Sequence, residues 1–229
     1  MPNWVVNRVT VTGSEEDIER FKALVTSDES VFDFNRIKPM PKELNIVSGG
    51  IEHLCIDAYL KSRKTEAKSI EEFLEEINLP DWFKPDGKDH GVVFDRQTGP
   101  GGLGDIIAYG EVYCALKERY GATSWYDWCV RNWGTKWYAD DASIESESPT
   151  QLQYRFETAW NVPVEIYQAL AEMFPDIDMH ILFADEALGI NCGTVEATGG
   201  AVETYWHGDF EFACEVWGYD PKEMHVMYA

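Results

Sequence analysis

Basic residues are what this sequence has least of for its size. Its 229 residues hold 19 Lys and Arg against 41 Asp and Glu, a formal net charge of −22. From Trp137 onward only Arg155 and Lys222 stand against 18 acids. Nucleic acids and anionic membranes are bound by basic patches, so the C-terminal part is expected to contact neither directly. No apolar run approaches the roughly 18 residues of a membrane-spanning helix. Met1-Pro2-Asn3-Trp4 also lacks the basic-then-apolar layout of a secretory signal, which points to the cytoplasm. The five cysteines, Cys55, Cys114, Cys129, Cys192 and Cys214, form no C-x-x-C pair; they read as buried free thiols in a reducing compartment. Zinc spacings, H-E-x-x-H, a nucleophile elbow and Rossmann glycines are missing, and Gly99-Pro100-Gly101-Gly102-Leu103-Gly104 does not match a phosphate-binding loop. Acids fall side by side at Asp140-Asp141 and Asp185-Glu186, and Glu196 and Glu203 lie near His207, but none follows a calcium-loop spacing. No catalytic residue, metal or cofactor is therefore expected.

Aromatic rings, by contrast, are abundant. Nine Trp, eleven Tyr and eleven Phe are more ring surface than a disordered chain carries, and the length suffices for a full core. Trp4 to Thr12 alternates as a strand, and Ser14 with Glu15, Glu16 and Asp17 opens a helix whose apolar face is Ile18, Phe21, Leu24 and Val25. A second strand is expected at Val31 to Phe34, before Pro39 and Pro41 interrupt. Helical spacing follows from Ile51 to Tyr59, then after a capping box at Ser69, and again from Asp105 to Tyr120. A glycine-rich loop spans Lys84 to Gly104. Leu152 to Trp160 reads as a strand, and Asn161 to Phe174 as a helix buried through Val162, Ile166, Leu170 and Met173. Ile177 to Asp185, Ile190 to Ala197 and Ala201 to Trp206 read as three further strands, and Phe210 to Trp217 as one more element. The simplest assembly is α+β: a ferredoxin-like split β-α-β sandwich with a helical insertion and an extra C-terminal hairpin. Residues 1–38 form its first half, 39–137 the insertion and 138–229 the second half.

The run Asn132-Trp133-Gly134-Thr135-Lys136-Trp137 joins a tryptophan-rich helix to the acidic part. Trp125, Trp128, Cys129 and Trp133 share a helix face, and Gly134 lets the chain leave it. A lysine among indoles serves as a cation–π contact, as a site for a ring-bearing anion together with Trp160, or as architecture with its head on Asp140 or Asp141.

Asn3-Trp4, Asn7, Gly13, the Asn-Trp-Gly-Thr-Lys-Trp run and Phe156 to Pro163 resemble the YubB-like and Api-like ferredoxin-like proteins carried by plasmids and phages. The resemblance implies a ferredoxin-like sandwich with an insert, an origin in a mobile element and hence a bacterial host cell, and no assigned activity. The expected function is a non-enzymatic acidic binding protein that engages a basic host protein, as a nucleic-acid mimic or counter-defence inhibitor, through Glu196, Glu203, Asp209, Glu211 and Glu215. The alternative is a nucleotide-like anion bound at a pocket beside Trp133, Lys136 and Trp160. The same acidity also serves plain solubility.

Overall fold

The computed structural model describes residues 3–66 and 103–227. The helix expected after Ser69 and nearly all of the glycine-rich stretch lie outside the described residues. The chain divides into two compact units, Met1–Pro39 with Cys129–Ala229, and Met40–Trp128.

The first unit is built on β1 (Trp4–Thr12), whose alternating valines bury Val5, Val9 and Val11 on one face. Serine and acids then start α1 (Glu15–Val25): Ser14 Oγ accepts from the Asp17 N–H at 3.2 Å, and Ile18, Phe21 and Val25 are buried. Later come β2 (Asp140–Ser148) and β3 (Gln151–Ala159). Five further elements belong to this unit: α6 (Val164–Met173), β4 (Asp178–Asp185), β5 (Cys192–Thr198), β6 (Ala201–Trp206) and α7 (Phe210–Trp217). A last helix, α8, spans Pro221–Met227. The strands form one antiparallel sheet in the order β2-β3-β1-β4-β5-β6. Reading β1, α1, β2, β3, α6, β4 through that order gives two interleaved β-α-β halves, each split by a strand of the other. This is the ferredoxin-like arrangement, extended by the β5–β6 hairpin. Gly199 and Gly200, with φ of +60° and +82°, make the two-residue turn of that hairpin.

Val31 to Phe34 is not the second strand. Asp33 caps a helical turn, α2 (Phe34–Ile37), by accepting from the Asn35 N–H at 2.8 Å. Phe32 and Phe34 are buried plugs, packed at 4.8 and 5.9 Å from the Phe156 ring, which mimics the period of a strand in sequence. The second strand of the sandwich is instead β2, which follows the second unit in the chain. α6 buries Ile166, Tyr167, Leu170 and Ala171. Its stripe is turned so that the Tyr167 hydroxyl reaches Asn7 Oδ1 at 3.0 Å, and this leaves Met173 41% exposed instead of in the core.

The sheet's two faces differ. On one, α1 and α6 cover Val5, Asn7, Tyr154, Phe156, Ile181 and Phe183. On the other, α7 covers a smaller cluster, Val6, Ala184 and Cys192, through Ala213 and Val216. Beyond them and Leu182 that face carries mainly polar side chains.

The second unit contains α3 (Gly50–Ser62) and α4 (Leu103–Tyr120), and the first half of α5 (Trp125–Asn132). A Cβ on Gly110 would lie 2.0 Å from the Cys55 carbonyl oxygen, so the α3–α4 contact depends on glycine there. Glu52 is buried, and it accepts from the Thr123 hydroxyl and, at 3.0 Å, from that of Ser124. The free cysteines are buried except Cys114, which is half-buried; burial pushes the Cys55 and Cys129 thiols from 9.0 up to about 12.

Candidate functional site

Period-two alternation decides which charges meet on the open face of the sheet. Because Leu152, Tyr154, Phe156 and Thr158 point into the core, Gln153, Arg155 and Glu157 point out. The same rule puts Arg8 and Thr10 on that face from β1, His180 and Leu182 from β4, Thr194 and Glu196 from β5, and Glu203 and Tyr205 from β6. Each basic side chain described there has a partner. The Arg8 guanidinium donates to both Glu145 oxygens at 2.5 and 2.7 Å and to the Val216 carbonyl in the last turn of α7 at 2.6 Å. Arg155 donates to Glu157 at 2.7 Å and Asp141 at 3.2 Å. His180 Nδ1 lies 2.6 Å from Glu196 Oε1.

The β5–β6 register places Glu196 directly opposite Glu203. Like charges in that position repel, at a cost of a few tenths to about 1 kcal/mol. Glu203 takes the Tyr205 hydroxyl, and this hydrogen bond, then the carboxylate's charge, hold that phenol above its usual pKa. Asp209 is occupied in capping α7, accepting from the Phe212 N–H at 2.7 Å. Glu211 and Glu215 are exposed on α7, which sits on the same face. Among the described residues no cation lies within ion-pair distance of Glu203, Glu211 or Glu215.

The second cluster lies where β1 begins and β3 and β4 end. Lys136 Nζ sits 4.4 Å from the centroid of the Trp137 ring and 4.8 Å from that of Trp160, and Trp4 packs 5.8 Å from Trp137. Trp160 is held at φ +71°, unusual for a bulky residue. Its N–H donates to the Asn3 carbonyl at 2.9 Å, and its carbonyl accepts from Asn191 Nδ2 at 2.8 Å. The buried carboxylate of Asp185 ties this end together, taking Asn3 Nδ2 and Asn191 Nδ2, each at 3.1 Å, and the Ala187 N–H at 2.8 Å. Trp133 is elsewhere: it is buried beside Phe34 and donates to the Lys38 carbonyl at 2.9 Å. Asn132 closes α5. The lysine therefore lies between Trp137 and Trp160 rather than Trp133 and Trp137, and Asp141, one of the two acids expected to take its head, is bound to Arg155.

Sequence reasoning missed Arg8 and Asn191 as members of these clusters, and named Asp185 only as half of an adjacent acid pair. Arg8 had a signal, as the one basic residue in the first strand; the other two join only through tertiary contact.

A cavity of about 580 Å³ opens between the loop Ser27–Asp33 and Tyr138–Ala142. Its lining includes Asp28, Glu29, Asp33, Asp140 and Asp141, which repel an anionic ligand, and none of Trp133, Lys136 or Trp160. Among the described residues no group of three or more His, Cys, Asp or Glu could hold a metal ion, and no helix is long and apolar enough to cross a membrane.

Residues 132–227 match the family described as the ferredoxin-like domain in Api92-like protein. No curated protein matches the chain. A crystal structure of the protein api92 from Yersinia pseudotuberculosis is 12% identical, with a TM-score of 0.44, covering 92% of this chain and 100% of that one.

Proposed function

We propose, on the premise that residues 132–227 carry the ferredoxin-like domain of Api92-like proteins, that this chain is a binding protein whose open sheet face takes a basic protein surface. The observation that supports this reading is the pair Glu196 and Glu203, two carboxylates set opposite each other in a segment with almost no cations. Such a pair lowers the stability of the free protein, and an incoming ammonium or guanidinium relieves it. Carboxylates at strand spacing occupy the Arg and Lys side chains that otherwise hold phosphates, which favours nucleic-acid-binding proteins as the partner class. The nucleotide-like ligand has less support, because two indole rings already take up the Lys136 ammonium.

The test is binding of polylysine as salt rises, by the parent and by Glu196→Lys with Glu203→Lys. A control carries the same net change on helices of the covered face, Glu19→Lys with Glu172→Lys. The first variant should bind at least about tenfold more weakly, the control close to the parent, and all should weaken between about 50 and 200 mM salt. Equal losses in both variants would mean that total charge, not this face, governs binding.

A further inference from the structure

The two edges of the sheet are built differently. The β2 edge is broken by two register shifts and lined by Asp140, Asp141, Glu145 and Glu147. Bulges and charges of that kind prevent another strand from adding. The β6 edge has a continuous register with β5, no proline and no lysine, and ends in Tyr205 and Trp206, 48% and 61% exposed. Among the described residues no strand pairs with its outer side. The two-residue turn at Gly199-Gly200 and the bond from the His207 N–H to the Cys192 carbonyl, 3.0 Å, fix the parity of the ladder. Ala201, Glu203 and Tyr205 bond inward to β5, so the backbone N–H and C=O groups of Val202, Thr204 and Trp206 point away from the sheet.

We propose that this edge takes an extended segment in which lysine or arginine alternates with apolar residues, added antiparallel as a seventh strand. The proposal rests on the basic-partner reading above and gives its mode. In an antiparallel pair, residues that exchange backbone bonds share a face. Partner residues bonded to Val202, Thr204 and Trp206 therefore put their side chains on the covered side, where the Trp206 ring lies 5.1 Å from that of Phe183 and apolar groups suit. The alternate partner residues fall on the open face beside Glu203 and Glu196, where cations suit. A second copy of this chain fits worse: pairing β6 with itself would bring two Glu203 carboxylates close together between molecules that each carry −22.

The probe is a peptide alternating lysine and valine, in three forms: unmodified, N-methylated at the valines, and N-methylated at the lysines. Binding is followed by tryptophan fluorescence. Charge is identical in all three, so only backbone donors differ. The valine-methylated form should bind about tenfold more weakly or worse, and the lysine-methylated form like the unmodified one. Thr204→Pro removes an outward N–H and leaves every bond to β5, so it should keep the parent's thermal midpoint and lose a similar factor. If both methylated peptides and Thr204→Pro bind like their parents while Glu196→Lys with Glu203→Lys still weakens binding, the edge is overturned and the acidic face stands. If the unmodified peptide does not bind the parent at low salt, both fall.

Discussion

Lys136 shows how one side chain can be read correctly in kind and only in part correctly in company: Trp137 and Trp160 lie on it and Trp133 does not. Its spacing from Trp133 and Trp137 is visible in the sequence, yet Gly134 at φ +77° turns the chain, so that Trp133 enters the core and Trp160 becomes the second indole. Trp160, 24 positions further on, was expected beside Lys136 together with Trp133; the structure brings Trp160 to the lysine and buries Trp133 beside Phe34 instead. Lys136→Met keeps the aliphatic stem and removes the cation; it should cost about 1 kcal/mol in urea unfolding and change the tryptophan emission, whereas a surface lysine would cost nothing measurable. At Gly134 a Cβ would also lie 1.9 Å from Glu165 Oε2. The carboxylate can swing away but the positive φ cannot be relieved, so Gly134→Ala should cost about 1–2 kcal/mol, and adding Glu165→Ala should recover little of it. The buried thiols set a pH limit. Between pH 9 and about 12 the unfolded chain has lost the protons of Cys55 and Cys129 while the folded chain keeps them, so stability falls as pH rises through that window. Urea midpoints at pH 8 and pH 10 should decrease in that order, and by less in a variant with both cysteines replaced by alanine.

Among the elements, legibility followed burial. β1, α1, β3, β4 and β5 carry apolar residues at the period of their own geometry, and the sequence locates them to within a residue or two. β2 left no such trace, because an edge strand of alternating Ser and Glu with two register shifts buries almost nothing. The aromatic pair Phe32 and Phe34 supplied a false signal a hundred residues earlier, since burial of alternate residues in an irregular loop has the same period as a strand. β6 was legible as a strand, but its exposed outer side was not, because strand order is a tertiary property. At Gly193 a Cβ would meet the Tyr205 carbonyl oxygen of the neighbouring strand at 2.1 Å. Gly193→Ala should therefore displace β6 and weaken binding of the lysine–valine peptide, with the cooperative unfolding of the remaining sheet retained, as hydrogen exchange of β1 and β3 amides would report.

At the scale of the whole molecule, charge was the most legible property and its placement the least. The sequence shows that cations are almost absent after Trp137, but only the β5–β6 register sets Glu196 against Glu203, and only α7 carries Glu211 and Glu215 to the same face. If that pair is strained, Glu203→Lys should raise the unfolding midpoint at low salt and lose the gain at high salt, even as it weakens capture of basic probes.

The central position of β1 has a consequence for how the protein is made. Its neighbours on both sides, β3 and β4, lie about 140 to 175 positions downstream. At roughly 5–20 residues per second, a ribosome needs on the order of ten seconds or more between releasing β1 and supplying the first strand that can pair with its backbone. During that interval both backbone edges of the strand stay unpaired, with only the helix that follows it at hand, and a polypeptide started at Cys129 would never receive the piece that fills the gap between β3 and β4.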